Sequence, residues 1–171
     1  MKGMVTAVIL LIALLLSAVI WDFLTFRIPN ELIIIGMITG LINVFANNLI
    51  SSGFDIQETF LVILSRIGYA AMMLAIMTTL WKAGAFGGGD VKLVVMTTLF
   101  TGYDGIYIFI YSLVCSLVIM GTGMLINRLR PGFLKIRKNK KGLHFIHFSL
   151  PYLLGVLIRL FQMAGDRIWI R

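Results

Sequence analysis

Apolar stretches separated by short polar breaks run along the chain at about residues 4–24, 31–46, 59–81, 91–100, 106–126 and from 149 onward. A helix rises ~1.5 Å per residue, so about 20 apolar residues cross the hydrocarbon core of a bilayer. Most of the stretches approach that length. Because unpaired backbone groups are so costly in lipid, each is expected to be a helix. The fourth stretch is short, and reaches span length only if the glycines that precede it also enter the membrane.

The breaks carry their own signals. In residues 25–30, Pro29 blocks continuation of the first helix and Asn30 is expected to cap the second. Residues 47–58 are polar, with Asp55 and Glu58 but no Lys or Arg, and Thr101-Gly102-Tyr103-Asp104-Gly105 reads as a turn. Residues 127–148 form a basic loop that holds Arg128, Arg130, Lys135, Arg137, Lys138, Lys140 and Lys141, and residues 166–171 are expected to form a tail on the outside.

Composition settles the class. With 60% hydrophobic and 13% charged residues and a mean hydropathy of +1.00, 171 residues cannot cover an apolar core with polar surface. The expectation is an all-α polytopic membrane protein of about six transmembrane helices, one transmembrane domain over residues 1–171. The N-terminus resembles a signal peptide, but its apolar run is long and leads into Trp21-Asp22 without a small-residue cleavage site, so it reads as a retained span.

A formal charge of +8 would suggest nucleic acid in a soluble protein. Here much of the excess lies in one loop, which marks a cytosolic segment facing anionic membrane lipid; no nucleic-acid partner is expected. Putting Arg27, Lys82 to Lys92 and the basic loop inside leaves the two middle outside loops free of cations, against the sense of Lys2, Arg167 and Arg171. Cys115 has no partner for a disulfide or a zinc site, and His144 and His147 read as interfacial, so neither metal nor cofactor is expected.

Two acids then stand out, because carboxylates near lipid are costly and therefore functional candidates. Asp22 ends the first span, and Asp90 follows Gly87-Gly88-Gly89 at the start of the fourth; the topology puts both at the cytosolic face. Two carboxylates sharing a site keep one proton between them and can activate water without a metal or a nucleophilic side chain. Glycine-flanked backbone there could pair with an extended peptide substrate. Lys92, two positions beyond Asp90, is expected to turn to another helix face and snorkel, while Arg27 holds its loop or touches headgroups. Arg66, inside the third span, is open between buried pairing and snorkelling; Arg159 reads as snorkelling. A proton or ion transporter is the rival from another class, although acids at one face with none in mid-span make no path across. A catalytically silent assembly protein is a further alternative.

Phe86-Gly87-Gly88-Gly89-Asp90-Val91-Lys92-Leu93 resembles the GxGD motif of the type IV prepilin peptidases, and Asp22 with Thr25, Arg27, Ile28, Pro29 and Asn30 is similar to that family's other acid and the stretch after it. The resemblance implies a membrane aspartic endopeptidase of the bacterial plasma (inner) membrane. It would remove the short basic leader of prepilins or prepilin-like proteins at the cytosolic face, usually after a Gly, with Asp22 and Asp90 as the catalytic pair. Larger family members carry a methyltransferase region with zinc-binding cysteines. This chain lacks such cysteines and so resembles the peptidase-only branch of Tad/Flp pilus systems. Presenilin-type GxGD proteases have a Tyr-Asp first motif, which Trp21-Asp22 does not match.

Overall fold

A computed structural model of the chain describes residues 2–25, 27–129, 137–138, 144–145 and 148–169. Among them are six helices: α1 (Lys2–Thr25), α2 (Asn30–Ser51), α3 (Ile56–Lys82), α4 (Gly88–Thr101), α5 (Asp104–Leu129) and α6 (Ser149–Trp169). Two-residue strands β1 (Arg137–Lys138) and β2 (His144–Phe145) pair antiparallel, Arg137 opposite Phe145 and Lys138 opposite His144. The all-α expectation is borne out. Thr6–Thr25, Asn30–Ser51, Ile56–Lys82 and Asp104–Gly123 are long and apolar enough to cross a membrane, and the chain is a multi-pass membrane protein. Most of the basic loop, His147 and residues 170–171 lie outside the described residues.

The second span is longer than its apolar run. It was expected to end near residue 46, yet α2 continues to Ser51 because its asparagines satisfy themselves on the helix: Asn47 Nδ2 donates to Asn43 Oδ1 at 2.6 Å and Asn48 Nδ2 to the Val44 carbonyl at 2.8 Å. The polar break therefore shrinks from residues 47–58 to residues 52–55. Phe54 N–H closes α2 on the Leu49 carbonyl at 2.8 Å, and Asp55 then caps α3 by accepting from Gln57 and Glu58 N–H at 2.8 and 3.2 Å.

The chain falls into two compact units, Met1–Tyr107 and Ile108–Arg171. In the first, α4 packs against α1, α2 and α3, and the residues from Leu93 to Phe100 are all buried. A helix apolar on every side has to be walled by others, which is why the short fourth stretch carries no polar stripe. The glycine run does enter this helix, since α4 begins at Gly88.

Gly36 and Gly40 make the seat. One turn apart on α2, they let α4 come close: a Cβ on Gly36 would collide with Met96 Sδ, and one on Gly40 would stand 2.8 Å from two ring carbons of Phe100. Beside them Ala70, Val95 and Leu99 form a buried cluster over Met37 and Leu41. Gly40→Val is accordingly expected to cost about 1–3 kcal/mol through overpacking against the Phe100 ring, read as a lower unfolding temperature in detergent, with Gly40→Ala falling between it and wild type. Ile34, Ile35, Ile38, Ile42, Leu61 and Leu64 point outward, as a lipid-facing surface requires.

In the second unit Ile108, Phe109 and Ser112 of α5 are buried, as are Tyr152 and Val156 of α6. Phe148 lies between Phe109 and Tyr152, with ring centroids 6.5 and 5.6 Å away.

Candidate active site

Four chain segments meet at one end of the first unit. The end of α3 is set by Gly84, whose positive φ of 82° lets its N–H reach the Trp81 carbonyl at 2.9 Å while Ala85 N–H reaches that of Leu80 at 3.0 Å. The chain reverses there, and three residues later Gly87 takes an extended conformation (φ −80°, ψ 156°) as the residue preceding α4. Asp90 is at the third helical position, and its Oδ2 accepts from Gly87 N–H at 2.9 Å. This is half of a capping box, since Gly87 has no side chain to return the second bond. The acid is thus fixed by its own helix start, among N–H groups that have no intrahelical acceptor.

Asp22 occupies the last turn of α1 and is half-buried, as Asp90 is. After it the Thr25 hydroxyl lies 2.9 Å from both the Trp21 and the Arg27 carbonyls, tying the loop back onto the helix that carries the acid. Arg27 itself is exposed.

Two contacts join this loop to α4. Ile28, only 9% exposed, packs over Gly89, where a Cβ would meet it at 3.5 Å. Lys92 Nζ donates to Asn30 Oδ1 at 2.6 Å, across 62 residues of sequence. These contacts bring the stretch that follows Asp22 and the stretch around Asp90 to the same end of the unit. Gly88 is exposed beside Trp81, its Cβ position 3.8 Å from the indole Nε1.

One expectation changes here. Pro29, not Asn30, precedes the first residue of α2, and no side chain caps that helix; the Asn30 amide is turned instead to Lys92. Lys92 is exposed, and its ammonium finds an acceptor in the Asn30 amide oxygen. Ile28, named from the sequence only as part of the stretch after Asp22, supplies a packing contact on Gly89 that was not expected. Its apolar character within a polar break was the available signal.

These features define a polytopic membrane protein whose helical bundle gathers two acids, a glycine turn and a lysine–asparagine pair at one end. The sequence profile of the type IV leader peptidase family matches residues 9–122, and the chain belongs to that family; it is a membrane peptidase. The matched stretch runs from α1 into α5 and includes both acids and every residue described around them. Comparison with curated proteins and with solved structures found no match.

Proposed function

We propose that the protein is an aspartic endopeptidase of the bacterial inner membrane that removes the leader of type IV prepilins or prepilin-like proteins at the cytosolic face, with Asp22 and Asp90 as its catalytic pair. One observation carries the reading beyond family membership. The Ile28–Gly89 packing and the Lys92–Asn30 hydrogen bond support it by joining the stretch that follows Asp22 to the start of the helix that bears Asp90. In the reaction one carboxyl group donates its proton to the scissile carbonyl oxygen while the other carboxylate takes a proton from water. The hydroxide equivalent adds to the carbonyl carbon, and collapse of the tetrahedral species transfers a proton to the leaving amine. The pair ends with one proton, as it began. The acids act as a coupled unit.

A cleavage assay tests this directly. The purified protein is incubated with prepilins from Tad/Flp and other type IV systems, and the N-terminus of each product is sequenced. Removal of a basic leader by a single cut is the expected result. If no prepilin is cut while an established leader peptidase works in the same detergent, the reading fails, and proton flux in liposomes becomes the next measurement.

The Lys92–Asn30 bond yields a further expectation. Lys92→Met and Asn30→Leu should each lower kcat/KM by about tenfold, and the double variant should be no worse than the poorer single one, because both remove the same contact. Additive losses in this cycle would show that the two side chains act separately.

A further inference from the structure

The far end of α4 poses a problem that its near end does not. Its 14 residues make a helix of about 21 Å, against a hydrocarbon thickness of ~30 Å. With Asp90 at one membrane face, the last carbonyls of α4 end within the membrane depth. Each such group left without a donor costs several kcal/mol.

Arg66 of α3 answers it. Its Nη1 donates to the Phe100 carbonyl in the last turn of α4, and its side chain lies across Gly102, where a Cβ would stand 2.8 Å from Arg66 Cδ. A cation at this position also faces the negative end of the helix dipole. Arg66 is sixteen residues before Lys82, or about 24 Å along α3, close to the length of α4. It lies ten residues after Ile56, about 15 Å from the other end of α3. An arginine at that depth needs a partner, and besides the carbonyl the Asp104 carboxylate attracts it from the first turn of α5. Tyr103 packs between Tyr69, tilted at 5.8 Å, and Tyr107, edge-on at 5.3 Å between ring centroids, adding an aromatic wall next to this end.

We propose that Arg66 is a positioning residue, a clamp on the buried C-terminus of α4 that fixes the depth at which Asp90 stands at the opposite end of the helix. The Lys92–Asn30 bond and the Ile28 contact hold the near end of α4, but a helix too short to reach both faces, with apolar contacts alone at its far end, can still shift along its axis. A charged hydrogen bond at its end removes that freedom. The consequence for catalysis rests on the reading that Asp90 is a catalytic acid, whereas the clamp itself does not.

Depth is measurable without activity. A nitroxide is attached at Gly88→Cys in a Cys115→Ser background, and its depth in liposomes is read by the power saturation of its spin signal with water-soluble and lipid-soluble relaxants. A control label sits at Gln57→Cys. In Arg66→Met the Gly88 label should move by several ångströms, up to about one helical turn of ~5 Å, while the Gln57 label stays. Arg66→Lys, which keeps the charge and one reach to the carbonyl, should hold the wild-type depth. In the unlabelled protein Arg66→Met should lower kcat at least about tenfold with KM within about twofold, since small misplacements at a reacting centre cost up to ~10²-fold. An unmoved Gly88 label in Arg66→Met overturns the clamp, as does equal movement of the control label. If that variant does not accumulate, Arg66→Gln, which removes the charge, takes its place, and an unmoved label there overturns the clamp as well. Failure of wild type to cleave any prepilin would remove the proposed function and leave the depth measurement to decide the clamp.

Discussion

Asp22→Asn and Asp90→Asn are each expected to lower prepilin cleavage by at least about a thousandfold, with the protein still inserted and folded. Asparagine has the shape of aspartate but cannot take a proton from water or hold one for the carbonyl, so either change removes one half of the proton exchange. The fold should survive. In Asp90→Asn the amide oxygen can still accept from Gly87 N–H, the bond that Asp90 Oδ2 makes at 2.9 Å, and Asp22 sits half-buried in the last turn of a helix whose apolar contacts are untouched. The double variant should be no slower than either single one, because groups that act as a unit lose the whole effect when one is removed. Circular dichroism and detergent-stable elution check folding; product formation over time checks the chemistry. Substantial cleavage by either variant would rule out a two-aspartate mechanism even if wild type proved an efficient leader peptidase.

How far the sequence alone reaches differs between elements, for physical reasons. The helices α1, α2, α3 and α5 are legible because about 20 apolar residues in a row have few other places to go. Their ends are less so: the asparagines of α2 look like a loop in sequence, and only their hydrogen bonds to Asn43 and the Val44 carbonyl show that they extend the helix. The α4 segment is apolar on all faces, so no periodicity could say which helix would cover which side. The Gly36 and Gly40 spacing was a visible hint of close packing. Both acids were legible, Asp90 from its glycines and Asp22 from its place at a span end. The contacts that join their segments were not, because the 62-residue separation of Asn30 and Lys92 has no local signature. Arg66 stood out as a charge within a span, but whether it was paired or snorkelled depends on α4 ending beside it. That is a tertiary fact, set by the length of α4 and the approach of Gly102.

Gly89→Val is expected to lower cleavage by about a hundredfold, and the cause can be separated into two physical effects. The first is substrate access, since a bare backbone at Gly89 lets an extended peptide approach and a valine would block it. The second is internal packing. A Cβ at Gly89 already meets Ile28 Cγ1 at 3.5 Å and its Cβ and Cδ1 at 3.6 Å, ordinary contact distances, so alanine fits. The γ-methyls of valine extend past that point into a side chain that is itself 9% exposed, and they must push the loop after Asp22 away from the helix of Asp90. Misplacement by ~1 Å is enough to account for ~10²-fold in rate. Because the packing contact is the one the structure contains, Gly89→Ala should retain most activity, and Ile28→Ala introduced into Gly89→Val should restore at least about tenfold by opening space for the methyls. Loss of activity in Gly89→Ala, together with no recovery in the double variant, would transfer the role of this glycine from joining the two acid-bearing segments to admitting the substrate backbone.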